Sequence, residues 1–341
     1  ALSRGLGDVY KRQRRSRASA AAARGARQVA PPVPRAPIEG EHGPEILLRL
    51  EELLRQRIHG KDDAVERIAR AVRVRLIHLD FRPERPNGTF LLVGPPGVGK
   101  NEFAYALAEI LYGDESLVVP IDMRAMASEE DVIRLVDVLV PGPPPTLYEG
   151  MLTAPVRRRP HTILLLRGIE QAHPAALRMI QKINEQGWIE DAQGRISFDR
   201  TILFATARVP DDENGPTSEI GFNRTAKTSE ERVLEKLRRR VSEEFLDSFQ
   251  EILVLSALSP EDVRQIARYK VRVVLDRLQQ GRRGVEVSDS IYAAFIPDED
   301  ARVRGAGALN QTLENKLLNP LARYLLEHPK ELRIRCLLYT S

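Results

Sequence analysis

Residues 94–101 combine glycines and a lysine at a spacing that suits phosphate binding. They fit the pattern Gly-x-x-x-x-Gly-Lys, between an apolar segment typical of a strand and an amphipathic segment typical of a helix. The glycines let successive backbone amides converge on phosphate oxygens, the helix start adds partial positive charge, and the lysine reaches the terminal phosphates. The pattern therefore predicts a nucleotide-binding loop made by Gly94, Pro95, Pro96, Gly97, Val98, Gly99, Lys100 and Asn101.

The residue after the lysine departs from this pattern. A Ser or Thr normally stands there and places its hydroxyl on Mg²⁺, whereas this chain has Asn101. An amide oxygen can ligate a hard cation, but the longer side chain misplaces that oxygen. The histidines are scattered without metal-ligand spacing. The sequence therefore predicts phosphate binding, argues against an ordinary Mg²⁺ site and offers no other metal site.

The segments around the loop alternate between strand and helix patterns. Short apolar runs predict strands, and amphipathic runs between them predict helices. The predicted strands are 89–93, 117–121, 163–166 and 201–206, and the predicted helices are 45–54, 64–76, 101–111, 132–140 and 174–185. Alternation of this kind predicts an α/β fold with a doubly wound parallel sheet.

After residue 256 the strand patterns nearly vanish. Residues 260–278, 291–295 and 309–326 predict helices, the first with Ser259 as its N-cap, and residues 332–335 predict one strand. These patterns predict a second domain that is smaller and mostly helical.

The chain is therefore expected to have an ordered body with irregular ends. We predict a disordered basic tail over residues 1–43, a nucleotide-binding core over 44–255 and a small C-terminal domain over 256–335. Residues 1–13 and 336–341 resemble translated sequencing adapter, and we expect both to be foreign to the natural protein.

The composition is that of a soluble globular protein. Hydrophobic residues make up 42% of the chain, yet no apolar run approaches the ~20 residues that span a bilayer, so we predict no membrane partner and a cytoplasmic location. The single cysteine, Cys336, excludes an intramolecular disulfide framework.

The positive charge is concentrated at the N-terminus. Residues 1–43 carry nine basic and three acidic residues, a net charge of +6. Because the whole chain has a net charge of +4, the remaining residues have a net charge of −2. Nucleic-acid binding by the folded part is therefore not expected.

Several further segments, taken with the loop, resemble the Clp branch of the AAA+ ATPases. The likeness is strongest to the second ATPase module of ClpB-type chaperones and its small C-terminal domain, and runs from about residue 46 to residue 335. The segments are RIHGKDDAV (57–65), RPNGTF (85–90), IDM (121–123), LT (152–153), VRRRP (156–160), IEQAHP (169–174) and DAQGR (191–195). The resemblance implies ATP or ADP as the ligand, with Ile58 in the segment that packs on adenine. It implies other AAA+ protomers, in a hexameric ring, or an accessory protein as partners.

The positions that carry out hydrolysis in this family are replaced here. The family has Asp-Glu after the strand over 163–166, to support the metal and polarise the attacking water; this chain has Arg167 and Gly168. The sensor Asn after the next strand corresponds to Arg208. By the same resemblance, the arginine-finger position reads Ser248 and the small-domain sensor position reads Gly307. We therefore predict that no catalytic residue is intact.

Arg167 has two interpretations. Its guanidinium could contact phosphate oxygens in place of Mg²⁺, or it could form an ion pair with a nearby acid such as Asp122 or Glu170. We favour the ion pair.

The replaced positions favour a Clp-type ATP-binding module that does not hydrolyse ATP effectively and acts as a scaffold or regulatory subunit of a chaperone-like assembly. One alternative is an active ATP-dependent protein unfoldase, which the family resemblance supports. The replaced catalytic positions oppose it. The missing pore aromatic opposes it too, because prolines 143–145 lie in the region where the family has its substrate-gripping Gly-Tyr-Val-Gly loop. The other alternative is a monomeric nucleotide sensor.

Overall fold

The computed structural model describes residues 43–208, 229–280, 284–287, 306–328 and 333–336, which all belong to one compact unit. The predicted basic tail lies outside the described residues except for Gly43. The predicted helix over 291–295 and, apart from Cys336, the two adapter-like segments lie outside them as well. Within the described part of the chain, no helix is both long and apolar enough to cross a membrane.

A five-stranded parallel sheet forms the centre of the protein. The described strands, in chain order, are β1 (Gly88–Val93), β2 (Val118–Asp122), β3 (Val138–Val140), β4 (Thr146–Tyr148), β5 (Ile163–Arg167), β6 (Trp188–Asp191), β7 (Gly194–Ser197), β8 (Ile202–Ala207), β9 (Glu251–Val254), β10 (Gly284–Val287) and β11 (Arg333–Cys336). The central order is β2-β5-β8-β1-β9, with every neighbouring pair parallel. Strands β1 and β8 are buried along their whole length, as expected for a sheet covered on both faces.

Helices connect and cover these strands. The described helices are α1 (Gly43–Leu48), α2 (Leu50–Arg57), α3 (Asp62–Leu76), α4 (Glu102–Tyr112), α5 (Glu129–Val132), α6 (Thr153–Arg158), α7 (Pro174–Gln186), α8 (Ser229–Arg238), α9 (Glu243–Asp247), α10 (Pro260–Gln280), α11 (Ala306–Leu313) and α12 (Asn319–Glu327). Helix α7 shows why the local sequence sets its bounds: Pro174 occupies the first turn, where its missing N–H costs nothing, and Gly187 ends the helix in the left-handed conformation. The predicted α/β fold with a parallel sheet is confirmed.

The helix predicted over residues 132–140 was wrong. Helix α5 ends at Val132, one 3₁₀ turn follows, and β3 then pairs antiparallel with β4. The repeated Val, Ile and Leu residues of this segment suit a helix and a strand equally, so their spacing could not decide. The deciding group is the buried Asp137 carboxylate, which accepts a hydrogen bond from the backbone N–H of Gly150 at 2.7 Å and so requires the chain to turn back.

The C-terminal part is mostly helical, as predicted. Helix α10 begins with the predicted cap, since the Ser259 hydroxyl accepts a hydrogen bond from the Asp262 N–H at 3.1 Å, while the Asp262 carboxylate accepts one from the Ser259 N–H. The predicted helix over 309–326 is α11, one π turn and α12 in succession. The predicted strand near residue 335 is β11, which pairs parallel with β10.

Candidate nucleotide-binding site

Four neighbouring strands of the sheet end at one edge, and each is followed by a residue or loop that lines the same cleft. The phosphate loop follows β1, Arg124 follows β2, Arg167 ends β5 and Arg208 follows β8. The cleft has a volume of about 270 Å³. Ligands of open parallel sheets bind at such an edge, beyond the carboxyl ends of the strands. The fold therefore brings together Lys100, Asn101, Arg167, Gly168 and Arg208, which the sequence had singled out.

The start of the phosphate loop is held against the ends of β8 and β9. The Gly94 N–H donates to the Ala207 carbonyl at 3.3 Å, and the Leu255 N–H donates to the Val93 carbonyl at 2.7 Å. A Cβ added to Gly94 would lie 2.4 Å from the Leu255 carbonyl oxygen, which no side chain tolerates. Glycine at this position therefore permits the close approach that fixes where the loop begins.

Lys100 is buried at the base of the cleft. Its ammonium group donates to the carbonyls of Gly94 at 2.7 Å and Pro95 at 2.5 Å. The pKa of Lys100 is lowered to about 8, chiefly by burial and also by the charge of Arg208, while the charge of Glu170 opposes the shift. A buried ammonium that only backbone carbonyls satisfy gains stability from an anionic ligand.

Arg124 is a cleft residue that the sequence analysis missed. Its Nε and Nη2 atoms donate to the two carboxylate oxygens of Asp122 at 2.8 and 2.6 Å. Hydrogen bonding from Arg124 lowers the pKa of Asp122 to about 2. A signal was present, because Arg124 follows a predicted strand of the same parallel sheet.

The ion pair favoured for Arg167 is not formed. Asp122 pairs with Arg124, and no ion pair joins Arg167 to another described residue, although the charge of Arg167 helps to lower the pKa of Asp122. The Nε atom of Arg167 and the Oε2 atom of Glu170 are both shielded from solvent and have no hydrogen-bond partner in the described structure. The Oε1 atom of Glu170 accepts only a long hydrogen bond, 3.4 Å, from Gln171. Unsatisfied buried polar atoms are rare in proteins, and two of them in one cleft indicate a place for a ligand.

Gly168 adopts a backbone conformation in which any side chain would be strained. Its φ of 76° is in the left-handed region, and its N–H donates to the Thr206 carbonyl at 2.8 Å. An added Cβ would lie 2.7 Å from the Cγ of Arg124. The Arg124 side chain therefore fills the space into which a side chain at position 168 would extend.

Two predicted positions lie apart from the cleft. Ser248 is buried, accepts a hydrogen bond from the Asn184 amide at 3.1 Å and donates to the Phe245 carbonyl at 2.7 Å. Gly307 is in the first turn of α11. Neither is among the residues that line the cleft. The assignment of both to lost arginine positions stays a prediction.

A smaller pocket of about 120 Å³ adjoins the cleft at Gly99. Its lining includes Ile58 and Val98 from the core, and Tyr269 and Asn310 from the C-terminal part. Its lining is mostly apolar, which suits a planar base. The sequence had singled out Ile58 and Val98; no spacing rule could have found Tyr269 or Asn310, because they lie more than a hundred residues further along the chain.

The donor set suits phosphate and does not suit Mg²⁺. The cleft supplies the loop amides, one lysine and three arginines, beside two carboxylates, Glu102 and Glu170, of which the first is engaged with Arg57. Two groups normally hold Mg²⁺ beside a phosphate loop: a Ser or Thr hydroxyl after the lysine and a carboxylate at the end of a neighbouring strand. In this chain these positions are Asn101 and Arg167. A fixed guanidinium beside the phosphates repels a divalent cation, so no step through a bound metal is derived for this chain.

Comparisons with known proteins agree with the geometry. Residues 85–252 match the family described as AAA domain (Cdc48 subfamily). Residues 258–334 match the C-terminal, D2-small domain of ClpB protein. Among curated proteins, the chain is 33% identical over 285 residues to the chaperone protein ClpB of Bdellovibrio bacteriovorus, with 82% of this chain and 32% of the relative covered.

Two further relatives extend this result. The chain is 35% identical over 299 residues to ClpB of Lactococcus lactis (85% of this chain, 33% of the relative). It is 33% identical over 290 residues to the negative regulator of genetic competence ClpC/MecB of Bacillus subtilis (82% and 35%). The chain thus spans about a third of the length of these relatives.

The fold also matches a solved structure. The closed-state cryo-EM reconstruction of Hsp104 with ATPγS and FITC casein aligns with a TM-score of 0.72 at 24% identity, over 86% of this chain and 50% of that one. The sheet order, the phosphate loop and the two matched segments agree on one assignment: the chain belongs to the Clp family of AAA+ ATPases, as a module of the second-domain type of ClpB.

Proposed function

We propose that this chain binds ATP or ADP, does not hydrolyse ATP effectively, and acts as a scaffold or regulatory module of a chaperone-like assembly. One observation carries the proposal: the space that a water-polarising carboxylate at position 168 would need is filled by Arg124, while the phosphate loop beside it is folded. We therefore expect the chain to bind nucleotide without hydrolysing it, because it keeps the phosphate-binding groups and lacks the carboxylates that hydrolysis needs.

The size of the expected loss follows from the mechanism of phosphoryl transfer. That reaction depends on positioning and on electrostatic stabilisation of developing charge. Loss of an arginine finger alone lowers the rate by roughly 10³–10⁵, and this chain also lacks the metal-supporting and water-polarising carboxylates beside β5. The remaining groups support a bound nucleotide as a structural ligand.

The partner class follows from the relatives. Several are chaperone proteins of the ClpB type, and the sequence resemblance implies assembly with other AAA+ protomers in a ring. A module that binds nucleotide without hydrolysing it can assemble into such a ring without supplying energy from ATP hydrolysis.

The test is nucleotide binding and phosphate release measured on the same preparation of this chain. We expect calorimetry to show ATP binding that the Lys100→Ala variant loses, and phosphate release no faster than that of the variant. Turnover well above the variant, stimulated by a denatured protein, would instead establish the active unfoldase.

A second candidate function has its own support. The smaller pocket is lined by both the core and the C-terminal part, so a bound nucleotide would contact both, as a monomeric sensor requires. Sedimentation with and without ATP separates the candidates: a scaffold in a ring associates at some protein concentration, and a sensor stays monomeric throughout.

A further inference from the structure

Four cations line the phosphate cleft: Lys100, Arg124, Arg167 and Arg208. Three of them sit at the ends of adjacent strands β2, β5 and β8, so the backbone of the sheet fixes their spacing. Groups held by a rigid sheet are organised before a ligand arrives, which lowers the cost of binding.

The acids around the cleft do not neutralise all of these charges. Glu102 lines the cleft, but its carboxylate accepts a hydrogen bond from the Arg57 Nε atom at 2.6 Å. Asp122 is engaged with Arg124. Glu170 remains, with one oxygen unsatisfied. Arg167 and Arg208 form no ion pair with another described residue, so the cleft keeps positive charge available for a ligand.

We propose that this site binds the phosphates of its nucleotide without a divalent cation, with Arg167 and Arg208 contacting the phosphate oxygens that Mg²⁺ would otherwise bridge. The inference rests on the proposed nucleotide-binding function and specifies the ionic form of the ligand. Planar guanidinium groups donate two parallel hydrogen bonds to phosphate. Arg167 has a buried Nε–H without an acceptor, and a phosphate oxygen would supply one.

The proposal implies that Mg²⁺ opposes binding. A bound Mg²⁺ neutralises two charges of ATP and occupies the β- and γ-phosphate oxygens. The complex of Mg²⁺ with ATP therefore offers fewer oxygens to the arginines, and its metal meets like charge from Arg167. Free ATP and free tripolyphosphate, which share the same phosphate chemistry, are the preferred ligands.

The experiment is calorimetric titration of ATP, and separately of tripolyphosphate, into the full chain in EDTA and in excess Mg²⁺. We expect the affinity for both ligands to be higher in EDTA than in Mg²⁺. Arg167→Gln and Arg208→Gln should each weaken binding in EDTA by roughly ten- to a hundredfold, the range for one charge-assisted hydrogen bond. Because Arg208 is exposed at a strand end, its variant tests the proposal even if Arg167→Gln fails to fold.

A matched control removes the same charge elsewhere. Arg158 pairs with Glu149 on an exposed surface, and Arg158→Gln should leave the affinity unchanged. Binding that is as tight or tighter in Mg²⁺ than in EDTA would overturn the inference. Equal losses of affinity in Arg167→Gln, Arg208→Gln and Arg158→Gln would overturn it as well. Binding that requires Mg²⁺ without turnover would leave the proposed function intact. Binding in EDTA together with turnover in Mg²⁺ that depends on Lys100 would overturn the proposed function and keep the inference. Binding of neither ligand in either condition would overturn both.

Discussion

At the scale of single residues, positively charged side chains stand in this cleft where the family has negatively charged ones. The family has a carboxylate pair after the fifth strand, whereas this chain has Arg167 and Gly168. The exchange is coordinated in space, because the glycine at 168 leaves room for the Arg124 side chain, which Asp122 holds from the other side. Gly168→Glu alone would therefore bring the new side chain against Arg124.

The first prediction concerns Gly168. Replacing it by alanine should lower the free energy of unfolding by more than Gly113→Ala, measured in urea. Both glycines have left-handed φ values, 76° and 70°, but an added Cβ at Gly113 meets nothing within 4 Å, whereas at Gly168 it meets Arg124 at 2.7 Å. The backbone alone costs about 1–2 kcal/mol, which the Gly113 variant measures. Combining Gly168→Ala with Arg124→Ala should recover the difference. Equal losses in the two single variants would show that Arg124 does not fill this space.

The second prediction follows from the low pKa of Lys100. In the free protein Lys100 loses its proton as the pH passes about 8, whereas bound phosphate stabilises the ammonium form. Binding above this pH must therefore take up a proton, and the affinity for ATP in EDTA should fall by up to about tenfold per pH unit.

Calorimetry at pH 7, 8 and 9, in buffers of different ionisation enthalpy, measures this uptake directly. Lys100→Met should bind weakly at every pH and take up no proton above pH 8. A wild-type affinity that is constant up to pH 9 would mean that Lys100 keeps its charge in the free protein.

At the scale of elements, buried polar contacts decide what apolar spacing leaves open. Four of the five central strands followed from the sequence, since buried strands such as β1 and β8 are mostly apolar. The fifth, β9, was missed, because it is short, begins with Glu251 and is only partly buried. The hairpin β3–β4 did not follow, since it depends on Asp137 bonding to Gly150, thirteen residues away. The spacing of apolar residues predicts which face of a single helix or strand is buried. It carries no information about a hydrogen bond between residues that are distant in the sequence.

The third prediction tests this polar network. The Arg157 side chain donates to Asp191 at 2.7 Å and lies 3.4 Å from Asp137, and both carboxylate side chains are fully buried. Arg157→Met should lower the free energy of unfolding by on the order of 3 kcal/mol, because it leaves two buried charges without their cation.

Its control is the neighbouring residue in the same helix. Arg158 pairs with Glu149, and both side chains are about 60% exposed, so Arg158→Met should change stability by less than about 0.5 kcal/mol. Urea unfolding of both variants at neutral pH makes the comparison. A similar small effect for both would mean that the other hydrogen bonds of Asp137 and Asp191 hold the network without Arg157.

At the scale of the whole molecule, the site combines parts that are distant in the chain. The phosphate loop was evident from its own residues, whereas the base pocket needs Tyr269 on α10 and Asn310 on α11 next to Ile58. These positions are brought together only by the packing of the C-terminal part on the core. The sequence could therefore predict the phosphate loop, but not which residues of the helical part line the pocket beside it.

The last prediction uses this division of the site between two parts. ATP in EDTA should slow amide hydrogen exchange both in the phosphate loop and in helix α10, because its base occupies the pocket between Ile58 and Tyr269 while its phosphates occupy the cleft. Tripolyphosphate has no base, so at equal saturation it should slow exchange in the loop alone. Tyr269→Ala removes one wall of the pocket and should make ATP behave like tripolyphosphate. Equal protection of helix α10 by both ligands would show that the phosphates alone tighten the C-terminal part, and the base pocket would then have no part in coupling it to the core.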